Sequence, residues 1–362
     1  MRFTFSCAVM FTAAAIVHAQ GTPSIGQTVK VGSGLYEIAA SPSTGTVYVA
    51  GAGGRGAEAA KPAVFALNGR TLAIEKQFDV SATPAYGLGF NDKTQTLYTT
   101  NTRNASVSAI DVKSGSIKEI KTPADPQAHL REVAVDEVNN VIYMSSYGND
   151  GKIWVVDGKT NTVSKVIEHT GNGTAGLAVD PAGKRLFVTN MNAHEVAVID
   201  TTSYEIKAKY PAGAERPSNL AYDAKSKRLF VANQAGNVTV LDPEAGGKVL
   251  GTIPTGAGTL DVELNPVTGF VYTANRAAGT VSVINPTTFA VVATLPTGTA
   301  NTIAVDTKSG LVYVTNKMRP QPRGGRQGGD GRQGAGAPPS APAAPPAPVE
   351  DQNGDSVTLI RH

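Results

Sequence analysis

The chain contains a single cysteine, Cys7, which lies in an apolar N-terminal segment. The rest of the sequence therefore has no thiol for a disulfide, a thiolate metal site or a cysteine nucleophile. A strong excess of one charge is also absent, because 32 Lys and Arg residues against 29 Asp and Glu residues give a net charge of +3. This near balance excludes a generally basic nucleic-acid protein, so any such binding requires a local patch of charge.

After the N-terminal segment, no apolar run approaches the roughly 18 residues that a membrane-spanning helix needs. The N-terminal segment itself has Arg2 followed by the apolar stretch Phe3–Val17, and Val17-His18-Ala19 fits a small-x-small cleavage pattern. A buried first strand is the alternative, but the apolar stretch alternates poorly. The sequence predicts a signal peptide over residues 1–19, cleaved after Ala19, and a soluble periplasmic or secreted protein.

Recognisable catalytic motifs are missing as well. The histidines beyond the N-terminal segment show no metal-ligand spacing, and there is no Gly-x-Ser-x-Gly elbow and no P-loop. Gly51–Gly56 is glycine-rich but lies between strands with no helix after it, which excludes a phosphate-binding loop. The sequence therefore favours a protein that is not an enzyme.

Sustained helical periodicity is absent, and an internal repeat takes its place. A short strand, a turn and an aromatic-Val-Thr-Asn phrase or a close variant recur at spacings of 41 to 50 residues. This period exceeds that of ankyrin, tetratricopeptide and leucine-rich repeats and is typical of four-stranded propeller blades. The aromatic anchors of the seven phrases are Tyr48, Tyr98, Tyr143, Phe187, Phe230, Tyr272 and Tyr313.

The pattern predicts an all-β fold, a single seven-bladed β-propeller over residues 20–362 with four antiparallel strands in each blade. Blade 7 obtains its third strand from Ser356–Ile360, and the segment Thr28–Gly32 resembles a fourth strand with no blade before it. The two termini should therefore complete blade 7 together and close the ring. Residues 318–354, rich in Gly, Arg, Ala and Pro, should form a disordered insert within blade 7.

The repeats resemble the YVTN-family β-propellers, and the match is closer to the periplasmic YncE-like branch. The phrases that carry this resemblance span the mature chain: Gly34-Leu35-Tyr36-Glu37, Lys93-Thr94-Gln95-Thr96-Leu97, Leu130-Arg131-Glu132, Ile153-Trp154-Val155-Val156-Asp157-Gly158 and Gly183-Lys184-Arg185-Leu186. The resemblance implies a periplasmic or secreted, non-enzymatic propeller. It also implies DNA binding, including binding of single strands, although fold alone does not fix function. The insert departs in composition from this branch.

The repeat places the loops between second and third strands at the same end of the ring as the loops between blades. Tyrosine rings there can stack on bases and basic groups can hold phosphates, which is how single strands are bound without sequence readout. Ordinary polar surface loops are the alternative, and a monomeric platform for envelope proteins would use the same face. The candidate ligand-binding residues are Tyr36, Tyr86, Arg103, Arg131, Arg216, Arg276 and Lys317.

Three acids interrupt the small residues that line the start of the inner strands. Glu37, Glu132 and Asp261 should lie at one mouth of the central channel. No cofactor is expected, but a hard cation such as calcium, which takes oxygen ligands, is one hypothesis for these acids. Solvated acids paired with Arg131 and Arg216 are the other. The acids also leave a metal-dependent, lactonase-like hydrolase as a further alternative.

Overall fold

The computed structural model of the protein describes residues 21–54, 60–122, 125, 128–318 and 353–362. The predicted signal peptide and nearly all of the predicted insert lie outside these residues. Within them, the chain is built of β-strands with one short 3-10 helix, Pro243–Ala245. No helix in the described part of the chain is long and apolar enough to cross a membrane.

The strands are short and separated by tight turns, as the Gly, Asn and Asp content between the apolar runs predicts. In chain order they are β1 (Ser24–Lys30), β2 (Leu35–Ser41), β3 (Thr46–Gly51), β4 (Ala63–Asn68), β5 (Ile74–Asp79), β6 (Gly87–Asn91), β7 (Thr96–Asn101), β8 (Ser106–Asp111), β9 (Ile117–Lys121), β10 (His129–Asp136), β11 (Val141–Tyr147), β12 (Gly151–Asp157), β13 (Thr162–Gly171), β14 (Thr174–Asp180), β15 (Arg185–Asn190), β16 (Glu195–Asp200), β17 (Ile206–Pro211), β18 (Pro217–Asp223), β19 (Arg228–Asn233), β20 (Asn237–Asp242), β21 (Lys248–Pro254), β22 (Thr259–Leu264), β23 (Val271–Asn275), β24 (Thr280–Asn285), β25 (Ala290–Pro296), β26 (Ala300–Val305), β27 (Val312–Asn316) and β28 (Ser356–Arg361).

These strands form seven four-stranded antiparallel sheets, which confirms the predicted seven-bladed propeller. Blades 1 to 6 each use four consecutive strands, starting from β2, and blade 7 has the order β1-β28-β27-β26. In blade 7, Thr28 lies opposite Thr358 and Val29 opposite Val357. The predicted closure by both termini is therefore confirmed, and it removes the open edge that an unclosed ring would leave.

The apolar core lies between the blades. Each aromatic anchor is buried and packs in a cluster that joins residues of its own blade to residues of the next blade. Tyr98 of blade 2, for example, packs with Trp154 of blade 3, and its hydroxyl donates to the Asn161 side chain at 2.8 Å. Tyr313 of blade 7 packs in the cluster of blade 1. Every blade thus depends on a neighbour to cover its apolar face.

The innermost strands carry a β-bulge where they approach the channel. In six blades the pairing between the first and second strands shifts register near the start of the first strand. A bulge leaves a backbone group without its ladder partner and redirects the side chain at that position. The bulge therefore creates both an unpaired N–H and a side chain that faces the channel.

In blades 2, 4 and 7 the third residue of the repeated phrase is a threonine whose hydroxyl bonds a backbone N–H near the start of the first strand. The Thr189 hydroxyl accepts a hydrogen bond from Gly176 N at 2.7 Å and donates to Ser218 O of the next blade at 3.2 Å. Thr100 and Thr315 make the same pair of contacts in blades 2 and 7. One hydroxyl thus accepts a hydrogen bond from a backbone N–H in the inner strand of its own blade and donates one to a carbonyl of the neighbouring blade.

In five of the seven blades the fourth residue of the phrase is a buried asparagine, and in blade 6 it links the first and third strands. In blade 6, Asn275 accepts from the Thr259 hydroxyl at 2.8 Å and donates to strand β24. In blade 7 the position of Thr259 is taken by Ala300, which lies opposite Asn316. The Oδ1 atom of Asn316 and the hydroxyl of Thr297 are buried there without a hydrogen-bond partner. Blade 7 therefore lacks one contact that blade 6 makes.

We expect Thr189→Val to lower the free energy of unfolding by about 2–3 kcal/mol, because it leaves a buried N–H and a buried carbonyl without partners. Thr189→Ser keeps the hydroxyl and serves as the matched control, with a smaller loss. Urea unfolding of the three proteins measures the difference. A valine variant as stable as the parent would show that the hydroxyl bridge contributes nothing.

We expect Ala300→Thr to raise the free energy of unfolding by about 1 kcal/mol, since the new hydroxyl supplies Asn316 with the donor that Thr259 gives Asn275. The reciprocal change, Thr259→Ala, should lower it by about 1–2 kcal/mol by orphaning the Asn275 oxygen. Denaturant midpoints compare the two variants. Loss of stability in Ala300→Thr would mean that blade 7 has no room for the hydroxyl.

Candidate binding site at the channel mouth

A cavity of about 490 Å³ opens at one end of the ring axis and is lined by residues from six of the seven blades. Its volume lies in the range of small-molecule and cofactor sites. The lining residues are Tyr36, Glu37, Tyr86, Gly87, Thr102, Arg103, His129, Arg131, Glu132, Ser218, Asn219, Gln234, Leu260, Asp261, Arg276, Asn301 and Thr302. The walls are aromatic and basic, and the inner end is acidic.

Most of the residues singled out in the sequence meet in this cavity. Five of the seven ligand-binding candidates and all three channel-mouth acids line it. Lys317 and Arg216 do not line the cavity, but each contacts a residue that does. The Lys317 Nζ atom lies 3.3 Å from the centre of the Tyr36 ring, and Arg216 Nε donates to the Gln234 side chain at 2.9 Å. The repeat therefore predicted which end of the ring these side chains occupy.

The aromatic wall consists of two tyrosines from neighbouring blades. The rings of Tyr36 and Tyr86 meet edge to face with centroids 4.7 Å apart. The Arg103 guanidinium lies 5.6 Å from the Tyr86 ring centre, on the same wall. Contacts of a cation with an aromatic face are favourable and are stronger where water is excluded. The wall thus combines half-buried aromatic surface with positive charge.

Arg276 is a cation that the fold holds partly out of water. Burial lowers the pKa of its guanidinium, whereas the neighbouring Tyr36 phenol opposes that change. Arg276 takes part in none of the salt bridges formed by the described residues. A half-buried guanidinium facing a cavity is suited to an anion, which it binds through two parallel hydrogen bonds.

The channel-mouth acids bond to the backbone at the bulges. Glu37 Oε1 accepts from Ile38 N at 3.2 Å, and Glu132 Oε1 accepts from Val133 N at 3.4 Å. Asp261, which is only 3% exposed, receives more hydrogen bonds than either. Its donors are Asn219 Nδ2 at 2.5 Å, Ile303 N at 2.7 Å and Val262 N at 2.9 Å.

Glycine replaces the acids where the next blade comes too close for a side chain. A Cβ atom on Gly87 would lie 1.8 Å from Arg131 O, and one on Gly176 would lie 2.5 Å from the Cα atom of Asn219. The preference for small residues along the inner strands is therefore a consequence of crowding near the ring axis. The acids occur only where the neighbouring backbone leaves space.

The interpretation that the acids pair with Arg131 and Arg216 is wrong. No ion pair within the described residues joins either arginine to a channel acid. Arg131 instead lies over the Tyr147 ring at 5.4 Å, and Arg216 bonds to Gln234 and to the sulfur of Met191. Arg131 is exposed at the start of β10 and Arg216 lies in the loop before β18, whereas the acids point inward from the bulges.

Burial and mutual repulsion make these carboxyl groups hold their protons. Burial and then the charge of Asp261 raise the pKa of Glu132 from 4.5 to about 7. Burial also raises the pKa of Asp261 from 3.8 to about 6, despite the hydrogen bonds it accepts. The pKa of Glu37 is raised well above its ordinary value by burial, Glu132 and Asp261. A carboxyl group at a pH below its pKa is neutral and can donate as well as accept hydrogen bonds.

Glu263 belongs to the same electrostatic group, although the sequence did not single it out as a site residue. It lies two positions after Asp261 on β22, one layer deeper in the channel. Burial and the charges of Asp261 and Glu132 raise its pKa well above the ordinary value. Its signal was present in the sequence, since the residues at the equivalent position of the other six inner strands are small: Ala39, Gly89, Ala134, Ala178, Ala221 and Ala304.

The calcium hypothesis receives no geometric support from the described part of the chain. No three His, Cys, Asp or Glu side chains in it are arranged so that they could hold a metal ion. The residue types are hard oxygen donors, but they come from different blades and each commits an oxygen to the backbone. The hypothesis stays a prediction, which a calcium titration of the melting temperature tests.

Fold and site together define a seven-bladed β-propeller with one polar, aromatic-walled pocket at the mouth of its axis. Residues 22–263 match the model of the YncE-like β-propeller family. The chain belongs to this family.

Its relatives include proteins named only as uncharacterised protein YncE. The one from Salmonella typhimurium strain LT2 is 33% identical over 306 residues, covering 80% of this chain and 84% of that protein. The one from Escherichia coli strain K12 is 34% identical over 190 residues, covering 49% and 52% of the two chains. Among solved structures, hydrazine synthase of Kuenenia stuttgartiensis superposes with a TM-score of 0.66 over 80% of this chain and 95% of that one, at 19% identity. That likeness concerns the fold alone.

We expect the free energy of unfolding to fall as pH rises from about 5 to 8. A carboxyl group whose pKa is raised on folding binds its proton more tightly in the folded state. Its contribution to the free energy of unfolding is therefore complete below the pKa of the unfolded state, and it is lost as the pH rises through the pKa of the folded state. For Glu132 this window runs from 4.5 to about 7. Glu132→Gln should flatten the slope, as measured by urea unfolding across this pH range. An unchanged slope would exclude Glu132 as its source.

Proposed function

We propose that the protein is a non-enzymatic binding propeller that takes single-stranded DNA on the face containing the channel-mouth pocket. The observation that carries this proposal is the aromatic wall of Tyr36 and Tyr86 with Lys317 and Arg103 against its rings. Proteins that bind single strands without sequence preference combine stacking platforms with positive charge in this way. Membership of the YncE-like family is consistent with the proposal, and the uncharacterised relatives neither support nor oppose it.

Cations are placed on more than one side of the pocket. Arg276 is half-buried in the wall, while Arg103 and Arg131 are exposed at the rim. Phosphates of an extended strand repeat at every nucleotide, so a strand whose base stacks on Tyr36 would bring its phosphates to these groups. Arg276, which has no carboxylate partner among the described residues, supports the strongest of these contacts.

The acids within the pocket do not oppose an anionic ligand as strongly as their number suggests. The pKa of Glu132 is about 7, and that of Glu37 is also raised well above its ordinary value. At pH 6, below the raised pKa of Glu132, that carboxyl group is mainly protonated, whereas at pH 8 it is mainly ionised. Affinity for a polyanion should consequently be greater at pH 6 than at pH 8, because ionised carboxylates repel phosphate.

We also propose that the protein acts in the periplasm as a monomer. The apolar segment before residue 20 and its small-x-small end support export. The closed ring leaves no unfinished blade to pair with another chain, which supports a monomer. A protein-interaction platform for envelope proteins would use the same face. This hypothesis is favoured if nucleic acid fails to bind.

We expect short single-stranded DNA to bind with an affinity that falls steeply with salt, because phosphate contacts release counterions. Arg276→Ala should weaken binding about tenfold and reduce the slope of log affinity against log salt by about 0.7. Arg70→Ala is the matched control, since Arg70 is exposed in the β4–β5 turn at the opposite end of the ring. Fluorescence anisotropy at two salt concentrations measures all three proteins. Binding that is independent of salt, or equal in both variants, would contradict the proposal.

A further inference from the structure

The pocket places hydrogen-bonding carboxyl groups directly beside its stacking wall. Tyr36 and Glu37 are consecutive residues of β2, and Arg131 and Glu132 are consecutive residues of β10. Successive side chains of a strand point to opposite faces, but the bulges in these two strands turn both members of each pair towards the mouth. A planar group against the Tyr36 ring therefore has its edge close to Glu37.

Each of these two glutamates keeps one oxygen for a ligand. The backbone N–H groups of Ile38 and Val133 occupy Oε1 of Glu37 and Glu132 respectively. Among the hydrogen bonds of the described residues, none engages the Oε2 atom of either glutamate, and neither takes part in an ion pair. Both side chains line the cavity, so these oxygens are exposed to whatever the cavity holds.

The edge of a nucleobase matches such a carboxyl group only when it carries the right atoms. Cytosine and adenine each present an exocyclic amino donor beside a ring nitrogen that accepts. A carboxyl group can take the amino hydrogen on one oxygen and, when protonated, donate its own hydrogen to the ring nitrogen. An ionised carboxylate still accepts from the amino group. Uracil and thymine have a carbonyl oxygen in place of that amino group, which repels an ionised carboxylate, so the ionised form is the one that discriminates between the two edges.

We propose that one unstacked base of the bound strand enters the pocket and that the carboxyl oxygens of Glu37 and Glu132 select a base with an exocyclic amino group, cytosine above uracil or thymine. This inference rests on the single-strand binding proposed above. It makes the channel mouth a base-reading site within a surface that otherwise contacts only phosphates.

The sharpest test compares ligands that differ only at the base edge. Short oligomers of deoxycytidine and deoxyuridine of equal length have the same backbone and the same ring size, and differ in the 4-amino group and the adjacent ring nitrogen. Measured by fluorescence anisotropy at pH 7.5 and one salt concentration, the deoxycytidine oligomer should bind about tenfold more tightly. The salt dependence of the two should be the same, since their phosphate contacts are identical.

Substitutions of Glu37 and Glu132 test whether these two acids cause the preference for cytosine. Replacing both Glu37 and Glu132 by Met keeps the side-chain length but removes the hydrogen-bonding atoms, and it should bring the two affinities within about twofold of each other. Replacing both by Gln removes the negative charge and leaves an amide that pairs with the N3–H and 4-carbonyl edge of uracil as well as with the cytosine edge, so it should also reduce the preference. Glu263→Met is the matched control, because Glu263 lies one layer deeper and does not line the pocket. It should keep the preference, and circular dichroism verifies that each variant is folded.

The possible failures are distinguishable. Equal binding of the two oligomers with a steep salt dependence overturns base selection and leaves the proposed single-strand binding intact. No binding of either oligomer overturns both. A cytosine preference that survives the double Met variant also overturns this inference, because the selection would then arise elsewhere on the face. The ligand comparison with the unmodified protein decides the question even if the double variants do not fold.

Discussion

The backbone N–H groups of the inner strands need partners where neighbouring blades meet, and in blades 2, 4 and 7 a threonine hydroxyl provides one while bridging to the next blade. Thr189 satisfies the N–H that the bulge exposes at Gly176 and, with the same oxygen, donates to a carbonyl of the next blade. Without such a group, the bulge would leave a buried backbone donor unsatisfied, which is costly. Where the bridge exists, the irregular inner strand can pack against the next blade without leaving a buried backbone N–H unsatisfied.

The functional character of the channel mouth follows from that bulge. Side chains at the bulged positions turn towards the axis, where a neighbouring backbone leaves space for Glu37 and Glu132 but not for a Cβ atom on Gly87. Removal of these acids from bulk water raises their pKa values, so that they act as hydrogen-bonding groups more than as fixed charges. The Tyr36 and Tyr86 rings beside them then form a pocket suited to a flat ligand that carries both donors and negative charge.

For the site, the sequence predicted only what the position of a residue within its repeat determines, which is the end of the ring at which the side chain lies. Position within the repeat correctly brought Tyr36, Arg131 and Arg276 to one end of the ring, because strand order fixes the end at which each loop emerges. It could not show that Arg131 packs over Tyr147 and forms no ion pair with a channel acid, since that choice depends on where the bulge in β10 directs the side chain. The deeper Glu263 was visible as an exception among small residues, but its coupling to Asp261 requires knowledge of distances across the channel.

By itself, the sequence determined the number of blades, the strands of each blade and the closure of blade 7 by both termini. These follow from short-range patterns, because alternation of apolar residues, turn residues and a fixed period are all properties of neighbouring positions. The tertiary structure alone decided that residues from six blades meet in one cavity and that their acids are buried enough to retain protons. Burial and distance across the axis are set by how all the blades pack around the ring, and no local stretch of sequence contains that information.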